Sequence, residues 1–168
     1  SNRVVSEQAQ VAENARSIED ALFVRLRTVP ILATLPDAEL RCMVDAQEIQ
    51  LPQGDYLARQ GETPHFFWIL LTGEMRISQT LPDGREQIMA TLPAGTAMGE
   101  LPLLAGIPNA ANVYASEPCE LLQFDEQQFW NLMTACPGVR KAVLGNMAHR
   151  FQKFQSVVVQ QEKMASLG

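Results

Sequence analysis

Between residues 48 and 124 turn signals cut the chain into short stretches at near-regular intervals, and nothing else in the sequence constrains the fold as strongly. Pro52-Gln53-Gly54, Gln60-Gly61-Glu62, Thr72-Gly73, Pro82-Asp83-Gly84 and Pro93-Ala94-Gly95 all read as turns, and the runs between them are too short for helices. Residues 48–51 alternate, 56–59 run on to the next turn, 66–71 form an unbroken apolar strand, and 75–81 alternate again. Pro82-Asp83-Gly84 makes a hairpin into residues 87–92, and residues 112–115 with 120–124 close the set. Short strands with glycine turns at this spacing predict an antiparallel β-sandwich or jelly-roll barrel.

Helical patterns flank this block, so the expected class is α+β. Over residues 4–27, Val11, Ala15, Ile18 and Leu22 recur at intervals of four, three and four, and Pro30 ends the run. Leu35-Pro36-Asp37 reads as a fresh helix start with an acid near the positive end of the helix dipole, which would turn Leu40, Met43 and Val44 to the core. Asp125 and Gln128 form an approximate capping box, Pro137 closes that helix, and a longer helix is expected from about Gly138. Along it Met147, Phe151, Phe154 and Val158 step by four, three and four, with Gln161 and Ala165 in register. Such a heptad seam outruns a small sandwich and predicts a parallel homodimer through the C-terminal helix. Three segments result: a helical extension over 1–30, the strand-rich domain with its short helices over 31–137, and a long helix or coiled-coil linker over 138–168.

Charge and cysteines narrow the function classes. With 19 acidic against 13 basic side chains the net charge is -6, which argues against a nucleic-acid binder needing a basic face. No apolar run approaches the roughly eighteen residues of a membrane span, and no signal-peptide pattern is visible, so a cytoplasmic location without membrane contact is expected. Cys42, Cys119 and Cys136 are odd in number and far apart, and His65 and His149 are not spaced as a metal pair. All three cysteines are read as small packing residues in a reducing cytosol, and no cofactor is assigned. Neither GxSxG, a P-loop nor HExxH occurs, so the chain itself is not expected to be an enzyme.

The stretch from Gly99 to Val113 carries the chemistry: a glycine and an acid, then Leu101, Leu103 and Leu104, then the polar turn Pro108-Asn109-Ala110-Ala111. It resembles the phosphate-binding cassette of the cyclic nucleotide-binding domain family, which includes the catabolite activator protein and protein kinase A regulatory subunits. The resemblance extends from about Ile31 to Ser156, and the six glycines at 54, 61, 73, 84, 95 and 99 fall at the family's turn positions. It implies that Gly99 lets the backbone approach a ligand, that Glu100 accepts a ribose hydroxyl, and that Leu101, Ala110 and Ala111 complete the cassette. On the same basis Arg150 falls where bacterial relatives keep an arginine near the pocket, and Phe154 and Gln155 where a base would meet the helix. One departure matters: the arginine that pairs with the cyclic phosphate is replaced by Asn109. Asparagine can donate to a phosphate oxygen but brings no charge and no bidentate fork. Losing one partner of a buried charged contact costs about 2–5 kcal/mol, so cyclic AMP or cyclic GMP is expected to bind weakly at best.

The tail Gln160-Gln161-Glu162-Lys163-Met164-Ala165-Ser166-Leu167-Gly168 resembles the run that precedes the phosphoacceptor helix of bacterial sensor histidine kinases. That implies a sensory input domain feeding a kinase core, whose phosphorylated histidine would lie beyond Gly168 and be neither His65 nor His149. Two other classes remain open: the ligand-binding domain of a catabolite activator-like transcription regulator, and a dimerisation module that has lost its ligand.

Overall fold

A computed structural model describes residues 2–167; the side chains of residues 153–159 and 161 lie outside that description. The chain runs α1 (Asn2–Leu26), α2 (Asp37–Leu40) tightening into a 3-10 turn (Arg41–Met43), then β1 (Gln47–Leu51), β2 (Tyr56–Ala58), β3 (Phe66–Thr72), β4 (Glu74–Thr80), β5 (Glu86–Pro93) and β6 (Ala97–Met98). After these come α3 (Glu100–Ala105), β7 (Asn112–Ala115), β8 (Cys119–Asp125), α4 (Glu126–Ala135) and α5 (Pro137–Leu167). Two four-stranded antiparallel sheets, ordered β1-β8-β3-β6 and β2-β7-β4-β5, make a sandwich. The sheets stay separate, so the jelly-roll expectation holds as a sandwich and not as a closed barrel.

Strand β3 explains the layering. Its unbroken apolar run is buried on both faces, the pattern expected of a strand between two hydrophobic layers. Phe67, Ile69 and Leu71 meet Leu122 and Phe124 of β8 and a helical layer that includes Phe129 and Leu132 of α4 and Val139 and Val143 of α5. Leu26, Val29, Leu32, Leu40 and Met43 join the same cluster, so the end of α1 and the short helix after it are part of the core. On the opposite face Trp68 and Leu70 meet Met75, Met98 and Leu121 between the sheets.

Two helix starts match their sequence signals. Asp125 caps α4 with both halves of the box, its carboxylate accepting from the Gln128 N–H and the Gln128 amide accepting from the Asp125 N–H. Pro137 is the first residue of α5 as well as the stop after α4, a position where its missing N–H costs nothing. The apolar stripe of α1 faces solvent at Val11 and Ile18 (72% exposed) and packs only from Leu22 onward.

Three expectations need correction. Val44, expected in the core, is 41% exposed, because α2 lasts one turn and the 3-10 turn after it rotates the next residue outward. The strands β6 and the helix α3 had no counterpart in the sequence reading; both are shorter than the periodicity needed to reveal them. Above all, Cys42 and Cys136 are not independent packing residues but form a disulfide across 94 positions, leaving Cys119 buried and free. The fold brings the 3-10 turn and the α4–α5 junction together, a proximity that spacing cannot show. Odd cysteine number forbade only a complete set of bonds.

Candidate functional site

Gly99 starts the site. It has φ +91, and a Cβ there would sit 2.7 Å from the Phe66 carbonyl oxygen and 3.0 Å from the Trp68 ring. Only glycine accommodates both the left-handed backbone and that approach to β3. The chain then turns into α3, with Glu100 in its first turn, where the helix dipole favours a carboxylate, and Gly106 in the left-handed conformation ends it.

A cavity of about 590 Å³ opens beside this turn. Strand residues Ala58, Trp68, Ile77 and Val113 form its apolar floor, and Leu144, Met147, Ala148 and Phe151 of α5 form its roof. All seven residues singled out in the sequence line it: Gly99, Glu100, Leu101, Asn109, Ala110, Ala111 and Arg150. Segments 99–102 and 109–111 form one wall, and Arg150 reaches in from α5 nearly fifty residues later in the chain. Its volume and apolar lining are those of a small-molecule site. Phe154 and Gln155, expected near a base, lie outside the described residues, as do Val158 and Gln161 of the seam.

Two polar features stand out against this lining. The Glu100 side chain is 1% exposed and forms an ion pair with the Arg150 guanidinium through Oε1, while neither carboxylate oxygen makes a hydrogen bond of regular geometry among the described residues. Arg150 is partly exposed, and burial lowers its pKa from the ordinary value, although a guanidinium keeps its charge at any physiological pH. Asn109 is tied to the loop between β2 and β3. Its Nδ2 donates to the Arg59 carbonyl at 3.2 Å, its N–H donates to the Glu62 carbonyl at 2.9 Å, and its own carbonyl accepts from the Gly61 N–H at 2.8 Å.

The sequence reading missed the floor residues and the α5 residues Leu144 and Ala148. Alternation in the strands pointed to the right faces, but nothing in one chain says which face is lined by ligand and which by packing. Among the described residues no group of His, Cys, Asp and Glu could hold a metal ion, and no helix is long and apolar enough to cross a membrane.

The glycine-led turn, the buried acid and the cavity between sandwich and helix define a domain of the cyclic nucleotide-binding type. Residues 48–136 match the cyclic nucleotide-binding domain family, and the chain belongs to it. Human cGMP-dependent protein kinase 2 is 30% identical over 127 residues, 74% of this chain and 17% of the kinase. A cAMP-dependent protein kinase regulatory subunit from Colletotrichum orbiculare is 31% identical over 117 residues, 69% of this chain and 29% of the subunit. The chain thus spans less than a third of these curated relatives. Among solved structures, the Thermus thermophilus catabolite activator protein superposes with a TM-score of 0.70 at 24% identity, covering 79% of this chain and 63% of that one. The regulatory domain of Toxoplasma gondii PKA, solved with cAMP, gives 0.67 at 26% identity over 83% of this chain and 52% of that one.

Proposed function

We propose that this domain is the sensory input of a two-component histidine kinase, with a phosphate cassette weakened at Asn109 and a homodimeric α5 as its output. The observation that carries the reading is the cavity's roof. Four apolar residues and Arg150 of α5 form one wall of the site, so any molecule filling the cavity touches the helix that leaves the domain. A ligand that fits one placement of α5 better than another biases the helix by that difference in binding free energy, and by no more. The heptad seam then carries the bias along a parallel coiled coil into a downstream core.

The tail resembling the run before a phosphoacceptor helix supports a histidine kinase as that core. Relatives named as a cGMP-dependent protein kinase and as the regulatory subunit of a cAMP-dependent one support kinase control in general without specifying its chemistry. The chain would act as a regulatory module, with all phosphoryl chemistry elsewhere in the parent protein.

Filling the cavity tests this directly. Ala148→Phe places a ring under the roof, and autophosphorylation of the full-length protein is then followed with labelled ATP together with hydrogen exchange over residues 138–151. A severalfold change in rate, accompanied by altered exchange, is expected. Unchanged kinase activity with altered exchange would remove the input role, and a parent sequence with a helix-turn-helix in place of a phosphoacceptor box would favour the transcription regulator.

A further inference from the structure

Cys136 stands where α5 begins. Its carbonyl accepts from the Arg140 N–H at 2.9 Å, the first bond of that helix, and Pro137 is the first helical residue. The Cys42–Cys136 disulfide is therefore tied to the foot of the helix that roofs the cavity, about two turns before Leu144. Its other end lies in a layer that is held together by itself. Ion pairs Arg27–Asp37 and Arg41–Glu19 fasten α2 and the 3-10 turn to α1, and Gln128 Nε2 of α4 donates to the Asp45 carbonyl at 2.8 Å. That layer also presses on the first turn of α5: a Cβ at Gly138 would lie 2.9 Å from Leu35 Cδ2 and 3.1 Å from Glu39 Cδ.

The contact beneath the bond carries a cost. Glu39 Oε2 is buried with no hydrogen-bond partner among the described residues, so the close packing on α5 keeps a carboxylate oxygen dry. The positive end of α5 offsets part of this, but no N–H of its first turn reaches the oxygen. Such a contact relaxes when nothing holds it, because a small retreat of the helix returns water to the carboxylate. The disulfide is what holds it, and one end of the disulfide is open to chemistry. Cys136 is 4% exposed, whereas Cys42 is only partly buried, so a thiolate can approach the Cys42 sulfur.

We infer that Cys42–Cys136 is a thiol–disulfide exchange site, served by a dithiol, that latches the foot of α5 when oxidised and releases it when reduced. One thiolate of the dithiol attacks Cys42 Sγ and forms a mixed disulfide there, and Cys136 leaves as a thiolate and takes up a proton. The second thiol then attacks the reductant's own sulfur in that mixed disulfide, releasing Cys42 and closing the reductant's disulfide. Two electrons and two protons pass from the dithiol to the protein. Cys119 takes no part, since it is buried with its sulfur donating to the Glu74 carbonyl at 3.3 Å. Once released, α5 can shift over the cavity, so a ligand's preference for one placement counts for more in the reduced protein. This last consequence rests on the reading of α5 as the output; the exchange site does not.

The whole chain is treated with dithiothreitol in the absence of denaturant, quenched with acid, unfolded, and its thiols counted. Three are expected, against one in the untreated protein. Hydrogen exchange of the reduced native chain should be about tenfold faster or more over residues 138–151, while β3 and β8 stay within about twofold. Cys42→Ser with Cys136→Ser, checked for folding by its melting curve, should match the reduced protein and not respond to the dithiol. Glu39→Met, which removes the dry carboxylate, should shrink the difference between oxidised and reduced chains. A count that stays at one in the native chain would overturn the exchange site. Three thiols with unchanged exchange in α5, or with faster exchange throughout the sandwich, would leave the bond a structural cross-link and overturn the latch. In the full-length protein, faster exchange in α5 with autophosphorylation unmoved by the dithiol would count against α5 as the output and leave the latch standing.

Discussion

At Gly99 a hydrogen is the largest substituent the backbone tolerates, and Gly84 provides the control. Both have positive φ, +91 and +86, but a Cβ at Gly84 meets nothing within 4 Å, whereas at Gly99 it meets Phe66 and Trp68. Gly84→Ala should cost about 1 kcal/mol for the left-handed backbone alone, and Gly99→Ala about 2–4 kcal/mol once the clash is added. Urea titrations of the two variants check the difference; equal costs would mean that β3 yields easily at the cassette. Arg150→Ala should destabilise by about 2–3 kcal/mol, less than a fully buried pair because Arg150 is partly exposed. Arg150→Lys, which keeps the charge but loses the planar fork, should recover part of this in the same measurement. These residues were legible to different degrees. Gly99, Glu100 and Asn109 sit within one motif, and its resemblance to the family's cassette pointed to them as parts of one site. The hydrogen bond from Asn109 to Arg59 joins positions fifty apart and leaves no local mark, so the sequence showed the missing charge but not where the amide had gone.

The helical elements are tied to one another by the Cys42–Cys136 bond, which links the 3-10 turn after α2 to the junction of α4 and α5. Closing a loop of this length stabilises a fold by about 2–4 kcal/mol, mainly by restricting the unfolded chain. A Cys42→Ser, Cys136→Ser double variant should therefore melt several degrees lower, and dithiothreitol should lower the unmodified protein to the same point. Thiol counting gives a second check. Burial raises the Cys119 pKa and hides its sulfur, so the oxidised native chain should show almost no reactive thiol, one after unfolding, and three after unfolding with reductant. Three thiols without reductant would mean that the bond does not form in solution. This element-level link was illegible because cysteine spacing says nothing about which turns the fold brings together. The α4 capping box was legible for the opposite reason: both of its hydrogen bonds lie within four consecutive residues. The strands fall between these cases. Turn residues marked their ends to within a residue or two, but the sheet order β1-β8-β3-β6 joins distant strands and had no local signal.

Taken as a whole molecule, the domain is a sandwich with one helix that serves two surfaces. Val139 and Val143 anchor the first turns of α5 in the core, Met147 and Phe151 roof the cavity, and the helix continues to Leu167. Thirty-one residues at about 1.5 Å each span roughly 46 Å, well beyond the part packed on the sandwich. Phe151 lines the cavity yet is 60% exposed, and Met164 and Leu167 are more exposed still. A solitary helix with such an apolar exterior is marginal in water, whereas two copies in parallel register bury the seam and place both cavities beside one coiled coil. Val158 and Ala165 belong to that seam in sequence, one and two heptads beyond Phe151, and the test of assembly is placed there. We therefore expect sedimentation of the unmodified chain to give a dimer at tens of micromolar. Val158→Glu with Ala165→Glu should give a monomer, because a carboxylate facing its own copy must either lose water or repel. The double variant should keep the melting transition of the sandwich, since the anchoring valines lie about four to seven turns earlier. A monomeric parent at high micromolar concentration would break the proposed route from cavity to coiled coil, whatever the cavity binds.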